Sequence, residues 1–132
     1  MKFISRVIEP VSYTHLACGD DLNIWSGNDD QTVAMMALGA KGVISVAANV
    51  MPEIMAEMTK ACLDGDFKKG AELQIKYFDI CDKLFIEVNP IPVKTAMNLM
   101  GKNVGNLRLP LCDMTPANLE KLKASMKAAG LL

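Results

Sequence analysis

Two near-continuous apolar segments with a helical run between them constrain the fold most. Leu22-Asn23-Ile24-Trp25 leads into a polar loop, Ser26-Gly27-Asn28-Asp29-Asp30. Gly42-Val43-Ile44-Ser45-Val46-Ala47-Ala48-Asn49-Val50 carries only Ser45 and Asn49 as polar breaks. Segments that do not alternate apolar with polar are buried on both faces, as in parallel sheets. Two of them joined through a helix predict a parallel crossover unit. In such units function gathers at the carboxyl ends of the strands, here residues 26–30 and 47–51.

The rest of the chain reads as a packing shell of helices. Val33, Met36, Ala37 and Ala40 share one face of a helix running to about Leu38. Pro52 suits the first turn of a second helix, whose buried side is Ile54, Met55, Met58, Ala61 and Cys62. Asp64-Gly65-Asp66 ends it and caps a long third helix over residues 67–85. Two stripes on that helix, Leu73-Tyr77-Ile80-Leu84 and Phe67-Ala71-Ile75-Phe78, predict neighbours on both sides. Glu87-Val88-Asn89-Pro90-Ile91-Pro92-Val93-Lys94 reads as a stiff connector whose Pro92 opens a further helix. Thr115-Pro116 signals the start of the last helix, with Leu119, Leu122 and Met126 inward. Residues 1–16 fit this order least. Phe3, Ile4, Val7 and Ile8 suggest a short strand or helical turn that Pro10 breaks, and residues 11–16 show no partner pattern. The expected division is therefore an unmatched segment at 1–16, a partial barrel at 17–65 and a helical region at 66–132.

Composition narrows the function classes. The chain has 132 residues, 51% apolar and 22% charged, with a net charge of -1. That suits one globular domain and offers no basic excess for nucleic acid. No run reaches the ~18 apolar residues that span a bilayer. Residues 1–10 lack the apolar core of a secretory signal. Cys18, Cys62, Cys81 and Cys112 match no zinc or redox spacing, so they are expected as reduced, mostly buried thiols of a cytoplasmic protein. Most of the ten methionines fall at helical spacing and read as core filling. His15, the sole histidine, reads as a surface residue.

The best candidate site combines Ser26, Gly27, Asn28 and Asp29 with Ile44, Ser45 and Asn49. Gly27 lets a small ligand approach the backbone. Amides opening the next helix offer a place for a carboxylate or phosphate. Asn28 and Asp29 read first as caps of that helix, and both readings can hold together. Lys41 and Lys94 are the candidate nucleophilic amines. Lys41 lies at the wrong end of the strands and Lys94 at a helix start, so neither has the setting an activated lysine needs. No nucleophile–base pair, metal-ligand cluster or glycine-rich phosphate loop is present in the sequence.

Four stretches together resemble the C-terminal part of the dihydrodipicolinate synthases, in the pyruvate-dependent class I aldolase superfamily. They are Trp25-Ser26-Gly27-Asn28-Asp29-Asp30, the run from Leu38 to Val50, Phe85-Ile86-Glu87-Val88-Asn89-Pro90-Ile91-Pro92-Val93-Lys94, and Leu107-Arg108-Leu109-Pro110-Leu111. Asn89-Pro90-Ile91-Pro92-Val93-Lys94 favours the synthases over relatives such as N-acetylneuraminate lyase. The resemblance implies the last two βα units of a (β/α)8 TIM barrel followed by a three-helix region. It implies a parent that condenses pyruvate with aspartate semialdehyde in lysine (diaminopimelate) biosynthesis. A barrel lysine forms a Schiff base with pyruvate, and a tyrosine-centred relay moves protons. No cofactor is implied, and the parent is expected to be a cytoplasmic homotetramer. By the same resemblance, Gly27 and Ile44 line the pyruvate pocket, Ile44 mainly through its backbone, and Asp29 matches an acid near the mouth. The Schiff-base lysine belongs to the preceding strand, in a Val-Lys-Glu/Asp setting that this chain lacks. The relay tyrosine, the pyruvate-binding threonines and the allosteric lysine site also lie upstream, and Tyr13 and Thr14 do not stand in for them. Residues 1–16 resemble nothing in the family, and residues 11–16 read as a spurious junction. The expectation is thus a fragment inactive alone. The alternatives are another aldolase or lyase of the superfamily, or a non-catalytic module that needs a separate barrel half.

Overall fold

The computed structural model describes residues 5–132, with side chains from Val11 onward. Seven α-helices follow one another among these residues: α1 Ser5–Cys18, α2 Thr32–Ala37, α3 Pro52–Leu63, α4 Phe67–Lys76, α5 Phe78–Lys83, α6 Ile91–Leu99 and α7 Pro116–Ala128. Prolines open α3, α6 and α7 within their first two positions, where a missing N–H costs nothing. The Asp66 carboxylate accepts from the Lys69 N–H at 3.0 Å and caps α4.

The two apolar segments do lie side by side and parallel, but as one bridge, Ser26 to Val43, and not as regular strands. Three backbone bonds join them: Lys41 N–H to Ile24 O (2.8 Å), Ser26 N–H to Gly42 O (2.9 Å) and Ile44 N–H to Ser26 O (2.8 Å). The expected second strand stops early because Ala47–Asn49 turns into a 3-10 helix. A pair of segments with no third neighbour is marginal as sheet. Trp25 lies over Gly42, where a Cβ would come within 2.8 Å of the indole.

Other expectations are corrected. Helix α1 runs through Pro10, where the backbone forgoes an N–H donor. The reading of Phe3 and Ile4 falls outside the described residues. Residues 11–16 do have a partner. Val11 is buried, and the half-buried His15 packs its ring against Gly39 in the loop after α2. The long third helix breaks at Tyr77 (φ -105, ψ 11), a buried residue that ends α4 and begins α5, so the C-terminal region has four helices. Its second stripe is open in this chain. Phe67 and Phe78 are exposed and Ile75 is 77% exposed. Cys62 and Cys81 are buried but Cys18 and Cys112 are exposed.

One core runs through the molecule. Ala47, Met55 and Met58 belong to the same buried cluster as Leu73, Ile80, Leu84, Ala96, Leu122 and Met126. The crossover unit and the C-terminal helices therefore share their apolar interior across residues 65 and 66.

The start of α7 is capped from a distance. Thr115 takes the extended N-cap geometry, yet its side chain bonds no amide of its own helix. Its N–H (3.0 Å), its hydroxyl (2.7 Å) and the Asn118 amide (2.9 Å) all donate to Glu87 Oε1. These donors, the Thr115 hydroxyl first and then the Asn118 amide, hold the Glu87 carboxyl below its ordinary value of 4.5. A carboxyl depressed in the folded state adds stability above its unfolded pKa and loses it as pH falls through the folded one. Melting temperatures of the wild type and Glu87→Gln are therefore expected to differ most above about pH 5 and to converge in acid. A gap that stays constant with pH would contradict the cap. Asp79, whose carboxyl is also lowered, acts in the same sense. Asp30, raised chiefly by burial, acts in the opposite one. The wild-type-minus-variant difference separates Glu87 from both.

Candidate functional site

The site is built on Ser26. Its backbone bonds both Gly42 and Ile44, so the loops that follow the two segments emerge together. Its hydroxyl is buried, donates to Asn28 O at 2.9 Å and accepts from the Asn28 N–H at 3.2 Å. That local ring fixes the turn in which Gly27 sits. Gly27 is exposed, and a Cβ built there would meet nothing within 4 Å, so its backbone faces open space. Ile44, one residue past the bridge, is 72% exposed. The pairing thus brings Gly27 and Ile44 to neighbouring positions at one end of the two segments.

Asp29 is placed differently. It is 1% exposed, and its Oδ2 accepts from the Val46 N–H at 3.1 Å and the Ala47 N–H at 3.0 Å. Its other oxygen, Oδ1, is buried without a partner. Neither Asn28 nor Asp29 caps α2. That helix has only six residues, is preceded by a 3-10 turn over Asp29–Gln31, and has no side-chain cap. Its first turn offers no free-standing anion site. The Asp29 carbonyl accepts from the Thr32 hydroxyl (3.0 Å) and from Gln74 Nε2 (3.0 Å), while Gln74 Oε1 accepts from the Val33 N–H at 3.4 Å. Gln74 was not legible as a partner, because its spacing on α4 reads only as a polar position. The same acids bear on Cys81, whose thiol is pushed up to about 12 by burial first and then by the charges of Asp29 and Asp30.

The remaining candidates serve the chain itself. Ser45 Oγ accepts from the Ala48 N–H at 2.8 Å, and Asn49 Nδ2 donates to Val46 O at 2.9 Å. Lys94 Nζ donates to Asn106 O at 2.7 Å and Lys102 Nζ to Asn49 O at 2.9 Å. Lys41 is exposed in the loop before Gly42. Two grooves lie elsewhere. One of about 430 Å³ runs between α6 and α7, past Thr95, Asp113 and Lys123. The other, of about 380 Å³, runs between α2 and α4, past Val33, Ala37, Phe67 and Ile75. Neither of these two takes in Gly27 or Ile44.

Residues 1–129 match the model of the Dihydrodipicolinate synthetase family. The chain belongs to that family. The match takes in residues 1–16, which the sequence motifs left outside it. A 4-hydroxy-tetrahydrodipicolinate synthase from Thermoanaerobacter sp. (strain X514) is 54% identical over 114 residues, 86% of this chain but 38% of that protein. The crystal structure of dihydrodipicolinate synthase from Aquifex aeolicus superposes with a TM-score of 0.91 at 44% identity, over 94% of this chain and 42% of that one. The chloride-inhibited dihydrodipicolinate synthase from Acinetobacter baumannii, complexed with pyruvate, gives 0.90 at 32% identity, over 96% of this chain and 43% of that one. The chain thus spans about 40% of the length of the relatives it matches. These likenesses bear out the expected fold, the last two βα units of the family's TIM barrel with the helices that follow.

Proposed function

We propose that this chain forms the C-terminal part of a 4-hydroxy-tetrahydrodipicolinate synthase and supplies one wall of its pyruvate pocket. The supporting observation is the Ser26 bridge, which sets the open backbone of Gly27 beside the exposed Ile44. Small anionic ligands suit such a wall: a glycine admits the ligand against the main chain, and an aliphatic side chain excludes water. In this reading Gly27 and Ile44 shape the space in which pyruvate is held. The amine that forms the Schiff base, the proton-relaying tyrosine and most contacts to aspartate semialdehyde come from the barrel half outside this chain. The lysines nearest the motifs support that division. Lys94 and Lys102 are engaged by backbone carbonyls and Lys41 is exposed, so none has the buried setting of a nucleophilic amine. Asp29 contributes by holding a loop, with both donors to its carboxylate coming from the backbone. The complete enzyme is read as a cytoplasmic homotetramer.

Co-expression with the N-terminal barrel portion of a family member tests the proposal. The expected result is a stable complex that condenses pyruvate with aspartate semialdehyde, while each piece alone is inactive. A complex without activity would favour a non-catalytic module, and no complex would contradict the reading.

A further inference from the structure

We infer that Asp29 is a positioning residue that sets Ile44 against Gly27, an inference that rests on reading those two as the pocket wall. Only three backbone bonds and one bridge join the segments that carry them. A contact that short does not hold its own register well. Asp29 supplies the missing constraint. It stands two residues past Gly27, and its Oδ2 takes the amides two and three residues past Ile44. Those amides open the 3-10 turn Ala47–Asn49 and have no acceptor within it. A carboxylate accepting two N–H groups is among the stronger anchors a backbone can have. The carbonyl of the same residue is gripped by Thr32 and by Gln74 of α4, so the anchor is fixed to the helical region as well. Placement of the second loop therefore passes through one buried side chain. A buried carboxylate with Oδ1 unbonded is a poor choice for packing alone, because the uncompensated oxygen opposes folding.

Amide hydrogen exchange in the 132-residue chain distinguishes positioning from a general contribution to stability. Asp29→Ala is expected to speed exchange at Ile44, Val46 and Ala47 by about tenfold or more, and to leave Leu122 and Met126 of α7 unchanged. Asp29→Asn keeps one acceptor oxygen without the charge and is expected to fall between. It carries the same comparison if the alanine variant does not fold. Uniform acceleration across the chain, or no change at the three loop amides, would overturn the inference. In the complex with the barrel half, Asp29→Ala is expected to raise KM for pyruvate about tenfold, with a smaller effect on kcat. An unchanged KM would also overturn it. If the wild-type complex has no activity, the pocket reading has failed while the exchange result still decides the positioning role.

Discussion

Leu122→Ala is expected to destabilise the chain by about 2–5 kcal/mol, the usual range for removing a fully buried leucine side chain. Leu122 is 0% exposed on α7 and belongs to the cluster that also holds Ile80, Leu84 and Ala96 from α5, its C-terminal cap and α6. The loss combines the transfer of its methyl groups with the cavity left among helices too closely packed to collapse. Against a total stability of about 5–15 kcal/mol for a domain, such a loss is large. Urea unfolding followed by circular dichroism checks it through the midpoint at constant slope. Leu109→Ala is the control. Leu109 is 92% exposed, and its truncation is expected to stay within about 0.5 kcal/mol. Equal shifts for the two variants would mean that the C-terminal helices do not pack around a common interior.

Gly70→Ala is expected to destabilise by up to about 2 kcal/mol, against the ordinary trend for helices. Within an isolated helix the change would gain about 1 kcal/mol. Here α4 crosses α3 so closely that a Cβ at Gly70 would lie 2.7 Å from Cys62 Sγ, with Val33 methyls at 3.6 and 3.7 Å. Cys62 is buried, and a helical cysteine has few rotamers to retreat into. Overpacking of this kind costs about 1–3 kcal/mol and outweighs the propensity gain. A double-mutant cycle isolates the contact between the two residues. In a Cys62→Ala background the obstructing sulfur is gone, and Gly70→Ala is expected to become neutral or stabilising, a coupling of about 1–3 kcal/mol. Additive effects would mean that the helices do not approach at this point.

What was legible in the sequence is what short-range chemistry dictates. Pro52, Pro92 and Pro116 open their helices as read, and Asp66 caps α4. The pairing of the two apolar segments was also readable, since a run without alternation has few other places to go. Its length was not. A short apolar run looks the same whether it continues as a strand or turns, and Ala47–Asn49 turns because a carboxylate 18 residues away takes its first amide. Long-range partners defeat local reading elsewhere too. Glu87 caps a helix 28 residues on, and Gln74 reaches Asp29 across 45. The break at Tyr77 is hidden by the regular spacing of Leu73, Tyr77, Ile80 and Leu84, all of which are buried even though the helix is not continuous. At the site, residue type grouped Gly27 and Asp29 as candidates, with Asp29 read as a helix cap or as an acid near the mouth. Burial, which no single sequence displays, separates the two.

On the proposed function, this chain carries a wall of the pyruvate site and not its nucleophile. Borohydride reduction in the presence of pyruvate, followed by intact-mass measurement of each chain in the complex with the barrel half, distinguishes the two roles. One reduced pyruvate adduct is expected on the barrel half and none on this chain. A stoichiometric adduct on any lysine of this chain would contradict it.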